Sequence, residues 1–259
     1  MSNVALITGA SAGLGTEFAR YHASKGGDVI ITARREETLN ALKSELEEKH
    51  NIKAHVIALD LGAPGGAQKL CEAVDALGLE IKVLVNNAGF GGLGLHIDRP
   101  LDDELAMIDL NVKALVHLAH HYGNQMVKTG GGKILNVGST AGFIPGPKQA
   151  IYFATKAFVK SFSFAIDHEL RSKGVTCTLL APGYVETEFV DHANMHGINL
   201  VKDGGAKASD VAKLGYDAMM AGKLLTINEF GLSFLLQWIV PFIPYRMVLK
   251  MTARTQSKA

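Results

Sequence analysis

The chain has 259 residues, of which 47% are hydrophobic and 20% charged, values typical of a packed domain and outside those of disordered, collagen-like or coiled-coil chains. Its 26 basic and 25 acidic residues give a net charge of +1, so no overall field attracts nucleic acid, and no nucleic-acid partner is expected. Cys71 and Cys177 lack disulfide-framework or CxxC spacing, and without a leader-like segment the sequence predicts a cytoplasmic protein.

Short runs rich in Val and Ile alternate with longer stretches of helical periodicity along the chain. The predicted strands are residues 4–8, 29–33, 54–59, 83–85, 133–137, 175–180 and 224–227. This alternation predicts an α/β fold, a single doubly wound Rossmann-type domain over residues 1–259 with a seven-stranded parallel sheet and helices on both faces. Right-handed crossovers place the carboxyl ends of all strands at one edge, where ligands bind.

A glycine-rich turn follows the first predicted strand. Gly9, Gly13 and Gly15 have the spacing Gly-x3-Gly-x-Gly and lead into a helix. Backbone N–H groups and the helix dipole at such a turn can hold a pyrophosphate, with glycine where a Cβ would block its approach. The alternative is a tight turn that binds nothing.

The second strand ends in a basic pair, Arg34 and Arg35. NAD-preferring sites usually carry an acid here, on the ribose 2′-hydroxyl. Arginine instead holds a phosphate through its planar fork, so the pair predicts NADP as the cofactor. The alternative is two solvated arginines.

Two Tyr-x3-Lys pairs, Tyr21–Lys25 and Tyr152–Lys156, can each place a phenol and an ammonium on one helix face. Such a cation stabilises phenolate and brings the tyrosine proton toward use at neutral pH. Position selects Tyr152–Lys156, because this pair begins the helix after the fifth strand, near Ser139, whereas Tyr21–Lys25 lies far along the first helix. Ser139 could bind the same carbonyl oxygen as the phenol.

Taken together, these motifs resemble the single-domain short-chain dehydrogenase/reductase family over residues 3 to about 190. The residues in and around the motifs resemble those of the bacterial DltE-like reductases. The resemblance rests on Thr8-Gly9-x3-Gly13-x-Gly15, Asn86-Asn87-Ala88-Gly89, Asn111, Ser139, Tyr152-x3-Lys156 and Pro182-Gly183. It implies Tyr152 as general acid/base, Ser139 polarising the carbonyl, Lys156 lowering the Tyr152 pKa and holding the nicotinamide ribose, and Asn111 completing a water-linked proton relay. The implied cofactor contacts are Gly9, Ser11, Gly13, Leu14, Gly15, Arg34, Arg35, Asp60, Leu61, Asn87, Ala88, Gly89, Tyr152, Lys156, Pro182, Gly183, Val185 and Thr187.

Several of these residues have a second interpretation. Asn86 and Asn87 could bond backbone across strand ends, Asp60 could cap the next helix, and Asn111 could face solvent in the middle of a helix. His117 and His121 have metal-compatible spacing, but a surface or subunit-contact role is favoured and no metal is expected.

The predicted function is NADP-dependent hydride transfer between nicotinamide and a small-molecule carbonyl or alcohol. The alternative is a non-catalytic NADP-binding sensor of the same fold, which predicts a broken Tyr-Lys-Ser set. A lyase or epimerase would need a larger C-terminal substrate domain.

Two regions of the C-terminal third remain after the motifs. Residues 184–222 are predicted to form a substrate loop or lid, and an apolar or mixed ketone is expected beneath it. Residues 229–259 form an apolar C-terminal extension that contains Trp238. Its longest uncharged apolar stretch, residues 230–245, is shorter than the ~18 residues that a membrane span needs. It could pack over the pocket, contact another subunit of a homodimer or homotetramer, or rest on a membrane surface through Arg246, Lys250 and Arg254. A contact or lid including residues 234–242 is predicted, with peripheral membrane contact less favoured.

Overall fold

A seven-stranded parallel sheet forms the centre of the protein, as a computed structural model describes it for residues 3–193, 195, 197–199 and 204–257. The strands are β1 (Val4–Thr8), β2 (Asp28–Ala33), β3 (Ala54–Ala58), β4 (Ile81–Asn86), β5 (Gly132–Val137), β6 (Val175–Leu180), β7 (Val185–Glu186), β8 (Ala206–Lys207) and β9 (Leu225–Thr226). The large sheet has the order β3-β2-β1-β4-β5-β6-β9, and β7 pairs with β8 in a separate two-stranded sheet. The predicted fold is confirmed.

Helices cover both faces of the sheet. They are α1 (Gly13–Ser24), α2 (Glu36–His50), α3 (Gly66–Asp75), α4 (Leu101–Ile108), α5 (Leu115–Lys128), α6 (Ala150–Arg171), α7 (Phe189–His192), α8 (Ala208–Met220), α9 (Phe230–Phe234) and α10 (Tyr245–Thr255). Successive strand side chains point to opposite faces, so Ile7 packs toward α1, α2 and α8 while Leu6 packs toward α3 and α5. Both faces are apolar, and β1 is therefore buried along its whole length.

One helical run covers residues 101–128 and contains an irregular turn. Residues Asp109–Ala114 form a π-helical turn between α4 and α5. Asn111 lies in this turn and is buried, which excludes the solvent-facing alternative. Such turns are frequent at functional sites.

The predicted lid, residues 184–222, contains a helix that packs in the core. Its last part, α8, buries Val211, Tyr216 and Met219 in the same cluster as α1, so it belongs to the core. The part before it includes α7 and the small β7–β8 sheet. The predicted lid also includes positions 194, 196 and 200–203, and the predicted C-terminal extension positions 258 and 259, which lie outside the described residues.

The apolar C-terminal extension leaves large side chains at the surface. Leu236 and Val248 are buried, but Phe230, Trp238 and Phe242 are 90%, 67% and 84% exposed. Packing within the same subunit therefore accounts for only part of this segment. No helix in the described ranges is both long and apolar enough to cross a bilayer.

Candidate active site

The glycine-rich turn joins β1 to α1 in the conformation that glycine favours. Gly9 and Gly13 have φ values of +67° and +53°, in the left-handed region. A methyl group at Gly15 would overlap the carbonyl oxygen of Gly9 and lie 2.7 Å from Nδ2 of Asn87. Leu14, between these glycines, packs partly against the core. The turn therefore requires glycine for its own closure as well as for any ligand.

Asn87 fixes this turn from the end of β4. Its Nδ2 donates to the carbonyl oxygens of Thr8 at 2.9 Å and Gly9 at 3.3 Å. The Thr8 hydroxyl accepts from the N–H groups of Asn87 and Ala88, at 3.0 and 2.9 Å. Asn87 thus bonds backbone across the strand ends, and this side chain positions the turn. The side chain of Asn86 is buried and donates to Oδ1 of Asn136 at 2.9 Å.

The start of α1 fits a phosphate group. Ala12 is its N-cap and has no side-chain hydrogen bond to the helix, and no acidic residue lies in the first turn. The first N–H groups of this 12-residue helix are thus not capped by Ala12, and the dipole favours an anion there. Beside them, Arg35 donates through Nη2 to the carbonyl oxygen of Ser11 at 3.0 Å and through Nε to its hydroxyl at 3.3 Å. Arg34 is exposed.

Asp60 and Leu61 follow β3 at the same edge of the sheet. Asp60 is exposed, and its carboxylate accepts from the N–H of Gly62 at 3.0 Å. Its side chain therefore closes its own turn and does not cap α3, which begins at Gly66. Leu61 is buried with Leu70, so its side chain belongs to the core and only its backbone could meet a cofactor.

The ends of β5 and α6 bring the predicted catalytic groups together. Ser139 follows β5, and its hydroxyl hydrogen-bonds with Tyr152 and accepts from the N–H of Ala141 at 3.1 Å. Tyr152 and Lys156 lie in the first two turns of α6. Lys156 donates through Nζ to the carbonyl oxygen of Val137 at 2.9 Å and lies 5.7 Å from the centre of the Tyr152 ring.

Asn111 holds the loop after β4 against α6. Its Nδ2 donates to the carbonyl oxygen of Phe90 at 2.9 Å and to the Thr155 hydroxyl at 3.2 Å, while its Oδ1 accepts from the N–H of Phe90 at 3.0 Å. Both side-chain hydrogens are thus committed within the protein. A Cβ at Gly89 would lie 2.9 Å from Oδ1 of Asn111 and 3.7 Å from Nζ of Lys156. Asn111 therefore acts as a positioning residue in this structure, and its place in a water relay stays a prediction.

Burial shifts the pKa values of both Tyr152 and Lys156. It raises the pKa of Tyr152 to about 12, with the hydrogen bond to Ser139 acting in the opposite direction. It lowers the pKa of Lys156 to about 8. The sequence led us to expect a lowered Tyr152 pKa. In this structure desolvation is the larger effect, and the phenol keeps its proton at neutral pH.

These directions predict a pH dependence for carbonyl reduction. The roles predicted for this pair in reduction require Tyr152 protonated and Lys156 charged, and both conditions hold below pH 8. As pH rises through about 8, Lys156 loses its proton while Tyr152 retains its own, so kcat/KM should fall above about pH 8. Steady-state rates across pH check this. In Lys156→Arg, whose guanidinium stays charged, the fall should move upward; a wild-type profile that stays flat to about pH 10 would contradict the assignment.

Gly91 and Thr155 line this site but were not predicted as site residues, whereas Phe189 was placed in the predicted substrate loop. A Cβ at Gly91 would lie 2.8 Å from the Phe189 ring and 3.1 Å from the Tyr152 ring. The rings of Phe189 and Tyr152 have centres 5.4 Å apart. Thr155 receives the hydrogen bond from Asn111. Gly91, in the loop after β4, and Phe189, at the start of α7, are remote in sequence and come together here.

The first Tyr-x3-Lys pair lies elsewhere. Lys25 Nζ lies 4.9 Å from the centre of the Tyr21 ring, and the Tyr21 hydroxyl donates to Asp217 on α8 at 2.9 Å. Tyr21 thus links α1 to α8. His121, which has metal-compatible spacing with His117, instead pairs with Asp75 at 3.0 Å. The described residues contain no group of three or more side chains able to hold a metal.

The segment after β6 reaches the glycine-rich turn, where Thr187 lies against Gly13. Pro182 accepts from the N–H of Thr140 at 2.9 Å, and Gly183 donates to Oδ1 of Asn228 at 2.9 Å. Val185 is buried in β7. The methyl carbon of Thr187 would lie 2.8 Å from a Cβ at Gly13. Every predicted cofactor residue therefore lies at or beside the carboxyl edge of the sheet.

Known proteins share this arrangement. The family model described as short chain dehydrogenase matches residues 3–196. The chain belongs to the short-chain dehydrogenase family. Sulfoacetaldehyde reductase 2 of Chromohalobacter salexigens is 38% identical over 217 residues, 82% of this chain and 81% of the relative.

Two further comparisons concern the cofactor. NADP-dependent 3-hydroxy acid dehydrogenase YdfG of Salmonella typhi is 39% identical over 188 residues, 72% of this chain and 74% of the relative. The structure of a short-chain dehydrogenase from Sphingobium yanoikuyae in complex with NADPH has a TM-score of 0.81 and 28% identity, covering 93% of this chain and 96% of that one. This short-chain dehydrogenase is therefore an oxidoreductase. The narrower resemblance to DltE-like reductases stays a prediction.

Proposed function

We propose that this short-chain dehydrogenase transfers a hydride between NADP(H) and a carbonyl or secondary-alcohol carbon, with Tyr152 as general acid/base. The observation that carries the proposal is the convergence of Tyr152, Ser139 and Lys156 beside Gly89 and Gly91. The set is complete, which favours an enzyme over a sensor. Relatives named as reductases and as an NADP-dependent dehydrogenase support the same reaction class.

In the reductive direction the chain provides the proton and the geometry. Ser139 and Tyr152 donate hydrogen bonds to the substrate carbonyl oxygen, which polarises the carbonyl. NADPH, when bound, supplies the hydride to the carbonyl carbon. As charge develops on the oxygen, the Tyr152 hydroxyl transfers its proton to it and becomes phenolate, which the Lys156 ammonium stabilises. Oxidation of an alcohol reverses these steps.

The residues around Tyr152 favour a substrate with an apolar part. Phe189 faces the Tyr152 ring, and the lid segment packs Val190, Ala193 and Met195 with Leu93. An apolar or mixed ketone suits these surroundings better than a doubly charged substrate. The test is a panel of ketones, aldehydes and keto acids of graded polarity, followed by NADPH absorbance with the purified protein. Absence of turnover with every class, despite NADPH binding, would favour the sensor alternative.

The cofactor preference depends on the basic pair after β2. Arg34→Ala should weaken NADPH binding roughly ten- to a hundredfold and leave NADH binding nearly unchanged, because a charge-assisted phosphate contact contributes about 1.5–3 kcal/mol. Fluorescence titration with both cofactors measures this. Wild-type protein that binds NADH as tightly as NADPH would overturn the proposed preference.

We also propose that the protein is a homodimer or homotetramer whose contact includes the apolar C-terminal extension. The exposed Trp238 and Phe242 support this, because large exposed apolar patches usually mark contact sites. The double variant Trp238→Ser/Phe242→Ser should shift the mass measured by light scattering toward 27.7 kDa. Leu77→Ser is the control, because Leu77 is an exposed apolar residue that lies outside the extension, two residues after the end of α3. An unchanged mass would contradict the contact. Sedimentation with liposomes of the unmodified protein, but not of the double variant, would favour the membrane alternative.

A further inference from the structure

Three consecutive side chains of the lid each touch a different part of the predicted cofactor site. Thr187 lies against Gly13 of the glycine-rich turn. Glu188 pairs with Arg35, the second arginine after β2. Phe189 packs on Tyr152. Residues 187–189 therefore cross the groove from the catalytic tyrosine to the phosphate-binding arginine.

The Arg35–Glu188 pair has a well-defined geometry. Nη2 of Arg35 lies 2.9 Å from Oε2 of Glu188 and also donates to the carbonyl oxygen of Ser11 at 3.0 Å. Nε donates to the Ser11 hydroxyl at 3.3 Å. The guanidinium is thus held between the glycine-rich turn and the lid. Both side chains are about half exposed, at 46% and 47%, so the pair adds little to stability.

The position of the Arg35–Glu188 pair affects phosphate binding more than stability. A phosphate binds an arginine best through two parallel N–H bonds. Glu188 already contacts Nη2 of the Arg35 fork, and Ser11 accepts from both Nη2 and Nε. A monoester phosphate carries a charge of about −1.5 to −2 at neutral pH, so a carboxylate in contact with the same guanidinium also repels it. A cofactor without the 2′-phosphate meets neither effect at this position.

We propose that Glu188 is a specificity-determining residue that competes with the 2′-phosphate of NADP for Arg35. The inference rests on the proposed preference for NADP. Glu188 lowers the affinity for NADPH and leaves the affinity for NADH nearly constant. It therefore reduces the preference for NADPH over NADH that Arg34 and Arg35 provide. The same competition links phosphate binding to the lid, because a phosphate on Arg35 would replace its contact with Glu188, and Glu188 is adjacent to Phe189, which packs on Tyr152.

The experiment compares cofactor affinity in Glu188→Gln, which keeps the side-chain shape and removes the charge. The matched control is Glu186→Gln, which removes a charge from the same lid at a carboxylate whose Oε1 accepts from the N–H of Gly205 at 3.1 Å. Dissociation constants for NADPH and NADH are measured by fluorescence titration at low and high salt. Arg35→Ala and the double variant Arg35→Ala/Glu188→Gln complete a double-mutant cycle.

Glu188→Gln should bind NADPH about two- to fivefold more tightly at low salt, with NADH unchanged and a smaller gain at high salt. In the Arg35→Ala background the gain should disappear. Weaker binding of both cofactors would show instead that the pair clamps the lid over them, and would overturn the proposal. An equal gain for NADH, or the same gain in Glu186→Gln, would also overturn it, because either result reflects overall charge.

The two proposals fail in different ways. If wild-type protein does not prefer NADPH, the proposed cofactor is wrong. If wild-type protein prefers NADPH and Glu188→Gln leaves both dissociation constants unchanged, only the role of Glu188 is wrong.

Discussion

Replacing Tyr152 by Phe is expected to lower kcat by roughly 10²- to 10⁴-fold, the range that general acid–base catalysis contributes. The variant keeps the ring that packs against Phe189 and Phe153 and loses only the hydroxyl. The dissociation constant for NADPH should therefore stay nearly constant. Single-turnover rates of ketone reduction, together with a cofactor titration, separate the two quantities.

The chain provides its own control for this experiment. Tyr21→Phe removes a hydroxyl from the other Tyr-x3-Lys pair, where it bonds Asp217 on α8. We expect wild-type turnover and a small loss of stability from this variant. A Tyr152→Phe enzyme with most of its activity, or inactivation by Tyr21→Phe, would show that the catalytic assignment is wrong. Lys156→Ala should reduce both turnover and cofactor affinity, because it is proposed to serve both.

Gly15→Ala is expected to weaken NADPH binding by on the order of tenfold or more and to destabilise the fold by about 1–3 kcal/mol, the usual range for overpacking. The added methyl group would meet the carbonyl oxygen of Gly9 and the side-chain amide of Asn87, and neither is the free end of a flexible side chain. The turn must therefore open to admit it. Denaturant unfolding and cofactor titration measure the two effects.

Gly231→Ala is the matched control, since Gly231 lies in α9 and a Cβ there meets nothing within 4 Å. This variant should bind NADPH normally and unfold at the wild-type midpoint or slightly above it, because alanine favours helix. Normal cofactor affinity in Gly15→Ala would contradict the assignment of the phosphate site to this turn.

The sequence predicted the sheet because buried parallel strands have a direct local signature. Val4–Thr8 and Val175–Leu180 are runs of apolar and β-branched residues that are buried on both faces, and the structure places them as predicted. The large-sheet strands differ from prediction by no more than two residues at either end. The two-residue strands β7 and β8 were missed, because segments this short have no periodicity.

The extent of the lid was predicted less well for a different reason. Val211, Tyr216 and Met219 have a helical spacing that suits either a lid or a core helix, and the sequence does not say which neighbour covers them. Contact with α1 places them in the core. Arg35 and Glu188 are similarly far apart along the chain, and nothing local to either residue predicts their pairing.

The contacts of Asn111 could not be predicted from the sequence. The motif identified it, but its bonds to Phe90 and Thr155 depend on the π-helical turn, which no periodicity in the sequence announces. In a regular α-helix the side chain of residue 111 would point in a different direction, because a π-helical turn holds more residues.

The loop that follows β4 has a consequence for attempts to redesign the enzyme. Asn87 holds the glycine-rich turn, Gly89 touches Asn111, and Gly91 lies under Tyr152. Residues 87–91 thus contact both the glycine-rich turn and the surroundings of Tyr152, so we expect a substitution here to alter both proposed functions at once. Variant libraries that aim to exchange one cofactor for the other should leave residues 87–91 constant and diversify the end of β2 and the facing part of the lid.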